Sequence, residues 1–183
     1  AKIYRIKTYQ VKNFNLFEII FTYFTFYINA VIFILKNHKK INTDKILIFQ
    51  PSPIFIGLLG LLLKKLTKAE IYLWILDLWP DTIFDYKFIR KKSIIGKILS
   101  YITYKIYNNC KKIFIHCEPF AKQVRKYTNK KCIYLPSPAE DIFDNKINHR
   151  FDNKKINILF AGNIGQSQTF DDISKVLSHK NFK

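Results

Sequence analysis

The chain has 183 residues, 49% hydrophobic and 16% aromatic, with a formal net charge of +18 from 31 Lys and Arg against 13 Asp and Glu. That much apolar material suits one domain plus the start of another and excludes a chain without a buried core. The charge admits attraction to nucleic acid, anionic lipid or phosphorylated substrates. The only arginines are Arg5, Arg90, Arg125 and Arg150, and no arginine-rich patch or nucleic-acid motif occurs, so nucleic acid is not an expected partner. The excess of Lys, Ile, Asn, Phe and Tyr reads as AT-rich coding bias over a generic basic surface, and an anionic membrane surface is the partner left open. Cys110, Cys117 and Cys132 lack metal-ligand spacing and read as reduced thiols of a cytosolic protein. The absence of Met, with Ala1 inside an apparent strand, leads to the expectation that a natural N-terminus is missing.

Residues 2–9 alternate weakly and predict an edge strand or the approach to one. Leu16 to Leu35 carries one charge, Glu18, and is long enough to cross a membrane. Glu18, Thr22, Thr25 and Asn29 nevertheless form one polar stripe at helical spacing. A buried helix, an interfacial membrane-docking helix and a membrane span all remain open for this segment. Residues 45–50 predict a strand that Pro51-Ser52-Pro53 ends, and 54–66 an apolar helix. Residues 71–76 predict a second strand, ending in Asp77-Leu78-Trp79-Pro80-Asp81. Ser93 suits the N-cap of a helix with Ile95, Ile98, Leu99, Ile102 and Ile106 on its face. Residues 113–115 predict a third strand, Pro119 the first turn of a helix carrying Phe120, Val124 and Tyr127, and 132–135 a fourth strand.

From Pro136 to Lys154 periodicity is lost and the composition turns polar, as in an interdomain linker. A strand at 155–160 then runs into Gly162-Asn163-Ile164-Gly165 and a helix with Phe170, Ile173 and Leu177 on one face. Strand, glycine turn and helix are how a nucleotide-binding Rossmann-like unit begins. The glycines allow close approach to a phosphate, and the helix N-terminus offers free N–H groups. Asp171 and Asp172 are expected to point away from such an anion. Strands alternating with helices, with strands apolar throughout, predict the α/β class: a parallel sheet covered by helices on both faces.

In such sheets ligands sit beyond the carboxyl ends of the strands, where several distinctive residues fall. Asp77 can orient a hydroxyl acceptor or take its proton, or it caps a turn. Trp79 offers a flat surface for a sugar or base, or packs in the core. Asp81 shares the choice between site and cap. Ser52 either binds substrate or caps the helix at 54–66. His116 either lines the crevice or is bonded within a turn. Thr169 and Asp172 have capping-box spacing.

Taken in order, Pro51-Ser52-Pro53, Asp77-Leu78-Trp79-Pro80-Asp81, Ile133-Tyr134-Leu135-Pro136 and Leu159-Phe160-Ala161-Gly162-Asn163-Ile164-Gly165 with Gln168 resemble bacterial GT4-class glycosyltransferases of the GT-B fold. The nearest group in pattern is the fucosamine- and colanic-acid-type transferases of surface polysaccharide assembly. The resemblance implies an acceptor-side Rossmann-like domain over 1–135, a linker over 136–154, and the first βα unit of a nucleotide-sugar domain over 155–183. It implies retaining transfer from a nucleotide sugar, UDP-linked in the usual case, to a polyprenyl-diphosphate-linked glycan at the cytoplasmic membrane face. No cofactor or tightly bound metal is expected. Asp77 takes the catalytic position; Ser52, Trp79, Asp81 and His116 line the acceptor side of the cleft; Gly162, Asn163, Gly165 and Gln168 approach the donor phosphates. Gln166 and Ser167 stand where these enzymes often carry a basic residue, and their donor-binding Glu segment falls beyond Lys183, so inactivity of this chain alone is expected. A non-catalytic α/β module holding a nucleotide or glycan, and a small basic membrane-associated protein, are the alternatives.

Overall fold

Four apolar runs form the strands β1 (Lys45–Gln50), β2 (Glu70–Ile75), β3 (Cys110–Ile115) and β4 (Cys132–Tyr134). They build an all-parallel sheet in the order β1-β2-β3-β4. In β1 and β2, Lys45 to Gln50 pair in order with Glu70 to Ile75. The computed structural model describes residues 2–13, 15–41, 43–138, 159–162 and 170–178, and the chain divides into two compact units, Ala1–Pro138 and Ala139–Lys183.

The helices of the first unit are α1 (Leu16–Asn37), α2 (Ile56–Thr67), α3 (Asp81–Asp85), α4 (Ile94–Asn109) and α5 (Phe120–Val124). Crossovers of one hand between strands in strict sequential order place their helices on the same side of a sheet. The main core forms there: Ile48, Ile71, Leu73, Ile75, Ile113 and Ile115 pack with Ile54, Ile106, Tyr107, Val124 and Tyr127. Gly57 lets α2 settle on α4, since a Cβ there would lie 2.7 Å from Ile106 Cγ2.

The expectation of helices on both faces is met on one face only among the described residues. Crossover helices reach both faces only where the strand order reverses, which this sequential sheet lacks. On the second face Leu47 and Phe49 are exposed. Rings there hold one another, with Phe49 edge-on to Trp74 at 5.3 Å and Tyr72 stacked on Phe114 at 6.5 Å. Trp74 Nε1 also donates to Leu135 O at 3.1 Å.

Ser93 caps α4 as its position predicts, its Oγ accepting the Gly96 N–H at 3.1 Å. The inward face of α4 differs from the predicted one: Leu99 and Ile106 are buried, Ile102 is half-buried, and Ile95 and Ile98 are exposed. The buried stripe runs instead through Thr103, whose hydroxyl donates to Leu99 O at 3.0 Å and so enters the core satisfied.

Residues 2–9 form no strand. They run as an extended strap along the polar stripe of α1, which supplies the hydrogen bonds that a sheet neighbour would have. Asn29 Nδ2 donates to Lys7 O at 2.8 Å, Thr22 Oγ1 to Tyr9 O at 3.2 Å, and the Tyr9 N–H to Thr25 Oγ1 at 3.0 Å. Glu18 Oε2 accepts the Lys12 and Asn13 amides at 2.7 and 3.1 Å. A second side of α1, centred on Ala30 and Ile34, packs against Leu59, Leu62, Leu63 and Leu66 of α2. Its third side is exposed among the described residues, so of the three readings of Leu16–Leu35 the mostly buried helix is the one not met.

In the second unit α6 (Phe170–Leu177) is formed, with Lys175 and Asp172 paired at 3.5 Å. Leu159 and Phe160 lie outside any strand and are exposed. The remainder of the predicted strand at 155–160, and the linker from 139 to 154, lie outside the described residues.

Candidate functional site

The in-register pairing of β1 with β2 brings Gln50 opposite Ile75, so the segments that follow the two strands begin side by side. That juxtaposition gathers Ser52, Asp77 and Trp79. Trp79 Nε1 donates to Ser52 Oγ at 2.7 Å and to Asp77 Oδ2 at 3.2 Å. Asp77 Oδ1 accepts from Thr82 Oγ1, in the first turn of α3, at 3.0 Å. The Asp77 carboxylate is half-buried and held at both oxygens by neutral donors. Both of these donors are neutral, and a carboxylate so placed at a strand end can orient a hydroxyl. The Ser52-Pro53 and Trp79-Pro80 peptides that flank the cluster are both cis.

Ser52 does not cap α2, which has no side-chain cap. The turn over Pro51-Ser52-Pro53 aims its hydroxyl at Trp79 instead. The Trp79 ring lies half-buried, 6.2 Å from Phe55, so it is neither fully a core residue nor a free platform.

Asp81 is set apart from the cluster. It is 7% exposed and its Oδ1 pairs with Lys126 Nζ at 3.2 Å. Burial, followed by the Asp81 charge, pushes the Tyr127 hydroxyl above its ordinary value. Asp81 therefore ties α3 to the segment after α5. His116 is bonded in place: Nδ1 donates to Ile75 O at 3.3 Å and the ring stands edge-on to Phe120 at 4.8 Å. The bond binds the end of β3 to that of β2.

Two residues at this edge escaped the sequence reading. Thr82 is one; its signal was a hydroxyl five residues after Asp77, within a short helix. Gln50 is the other. It is fully buried, donates weakly to Asp77 O at 3.4 Å, and its Oε1 has no hydrogen-bond partner among the described residues. A polar residue closing an otherwise apolar strand was its signal.

Gly162 has φ 155°, a conformation that favours glycine. Asn163, Gly165 and Gln168 lie outside the described residues. Burial pushes the Cys110 thiol up to about 12 and also raises Cys132, so neither thiol is prepared as a nucleophile. No group of three His, Cys, Asp or Glu side chains is placed to hold a metal among the described residues. A groove at the opposite, amino end of the sheet is lined by Lys64, Lys68, Lys111 and Lys130. Lys64 Nζ there donates to Asn109 O at the end of α4, at 2.7 Å, which makes that cation a helix terminator.

The class that the fold defines is α/β: a four-stranded, all-parallel sheet flanked by helices, consistent with a Rossmann-like arrangement. Comparison with protein-family profiles, curated proteins and solved structures found no match to this chain.

Proposed function

We propose that residues 1–138 of this chain form the acceptor side of a retaining glycosyltransferase. It would move a sugar from a nucleotide donor to a lipid-linked saccharide. The observation that carries the reading is the Ser52–Trp79–Asp77–Thr82 cluster at the carboxyl edge of a parallel sheet. That edge is where open α/β sheets bind ligands. In this reading the Asp77 carboxylate orients the acceptor hydroxyl and draws on its proton as the glycosidic bond forms. Trp79 and Thr82 hold the carboxylate still. The nucleoside diphosphate leaves as an anion, which N–H donors and positive charge stabilise.

The test is transfer of label from a panel of radiolabelled UDP-sugars into lipid-extractable product, using membranes of cells that express the gene. Formation of labelled lipid that falls at least ~100-fold in Asp77→Asn at equal protein level is expected for a residue acting in the reaction. Transfer unaffected by Asp77→Asn, or no labelled lipid from any donor, overturns the reading.

A further inference from the structure

We infer that the open side of α1 is a docking surface for an anionic lipid bilayer, lying in the plane of the membrane with the residue 2–12 strap along its flank. The first observation is geometric. Phe17, Phe21, Phe24, Ile28, Ile32 and Leu35 recur every three or four residues and are all exposed, Phe17 at 78% and Phe24 at 58%. At 1.5 Å per residue they make an apolar stripe about 27 Å long. A soluble surface rarely carries so continuous a stripe without an occupant.

The second observation is charge. The strap sets Lys2, Arg5, Lys7 and Lys12 beside the helix, all exposed, and Lys36, Lys39 and Lys40 follow at its far end. Through residue 41 the sole acid is Glu18, and its carboxylate is engaged by the Lys12 and Asn13 amides. An apolar stripe flanked by cations matches the acyl and headgroup layers of an anionic bilayer. A protein partner would need acidic residues around an apolar groove, whereas the bilayer supplies both by its nature.

The third observation decides orientation. A spanning helix must carry no unsatisfied backbone into hydrocarbon. The strap is extended chain bonded along α1, with backbone groups open to solvent, and another side of α1 is packed on α2. These two sides keep α1 from crossing, and among the described residues the third side alone is free to enter the interface. The strap thus does two things: it satisfies the polar stripe, and it carries cations to the edge of the apolar one. This inference stands apart from the sugar-transfer reading, since its readout needs no donor or acceptor.

The experiment is co-sedimentation of the chain with phosphatidylcholine vesicles, with and without phosphatidylglycerol, over a range of salt. Binding is expected to need phosphatidylglycerol and to weaken as salt rises. Phe24→Glu with Ile28→Glu should lower it at least ~10-fold while the unfolding temperature stays unchanged, because both side chains are exposed. Gln at positions 2, 5, 7 and 12 together should also lower it, since the strap's backbone bonds survive. Unchanged binding in the Phe24/Ile28 variant overturns the inference. So does a lipid-free dimer that this variant dissociates, which would make the stripe an interface between copies. Retention in carbonate-washed membranes would overturn it as well, in favour of a span.

Discussion

Replacing Asp77 by Ala or by Asn separates its place in the fold from its place in a reaction. Its two oxygens take hydrogen bonds from Trp79 Nε1 at 3.2 Å and Thr82 Oγ1 at 3.0 Å. Both donors also have another acceptor: Ser52 Oγ at 2.7 Å for Trp79 and Leu78 O at 2.8 Å for Thr82. Asp77→Ala therefore leaves no donor stranded, and the larger penalty for an unsatisfied buried group does not arise. What is lost is the net value of two shared, half-exposed bonds, about 1 kcal/mol together. For a chain of this size that is about 3 °C in unfolding temperature. Asp77→Asn loses less, within ~0.5 kcal/mol. Its amide oxygen can accept from Trp79 while its NH2 donates to Thr82 Oγ1, which keeps its bond to Leu78 O. Intrinsic fluorescence reads the relevant unit, because the chain's two tryptophans, Trp74 and Trp79, both lie in it. Urea unfolding of the three proteins should give midpoints close together with equal slopes. A loss of ~3 kcal/mol or more in Asp77→Ala would refute the reasoning, since it would make the carboxylate a structural post.

Gly96 should resist the exchange that usually stabilises a helix. Its Cβ would lie 2.5 Å from Arg90 O and 2.6 Å from Lys91 O, both backbone atoms, so Gly96→Ala should destabilise by roughly 1–3 kcal/mol despite Ala's higher helix propensity; a stability gain on urea unfolding would contradict this. The strap should loosen at its carboxyl end in acid. The backbone N–H bonds from Lys12 and Asn13 hold the Glu18 carboxyl below its ordinary value of 4.5. A lowered folded value means that the bonds stabilise fully above about 4.5 and are lost as pH falls through that lowered value. NMR shifts of the Lys12 and Asn13 amides should follow with a midpoint below 4.5, and a midpoint at or above it would sink the assignment.

The order of strands and helices was legible because each apolar run is a local property. β1, β2 and α4 fall within a residue or two of their predicted positions, and the Ser93 cap is a bond between near neighbours. The meeting of Ser52 with Asp77 was half legible: both end apolar strands, and parallel pairing then aligns the ends. The partners that distinguish the two aspartates were not legible. Asp81 meets Lys126 across 45 positions, while Asp77 meets hydroxyl and indole donors close in the chain.

From sequence alone, this protein's composition, its αβ alternation and the helical stripe Glu18–Thr22–Thr25–Asn29 were determined, because these depend on spacing along one chain segment. Tertiary structure decided what each stripe faces. It turned a predicted edge strand into a strap on α1, left one face of the sheet and one side of α1 uncovered among the described residues, and paired Asp81 with Lys126 while Asp77 stayed half-exposed. The reason is physical: periodicity states that a face exists, but only the packing of distant segments determines whether that face is covered, bonded or left to meet a partner.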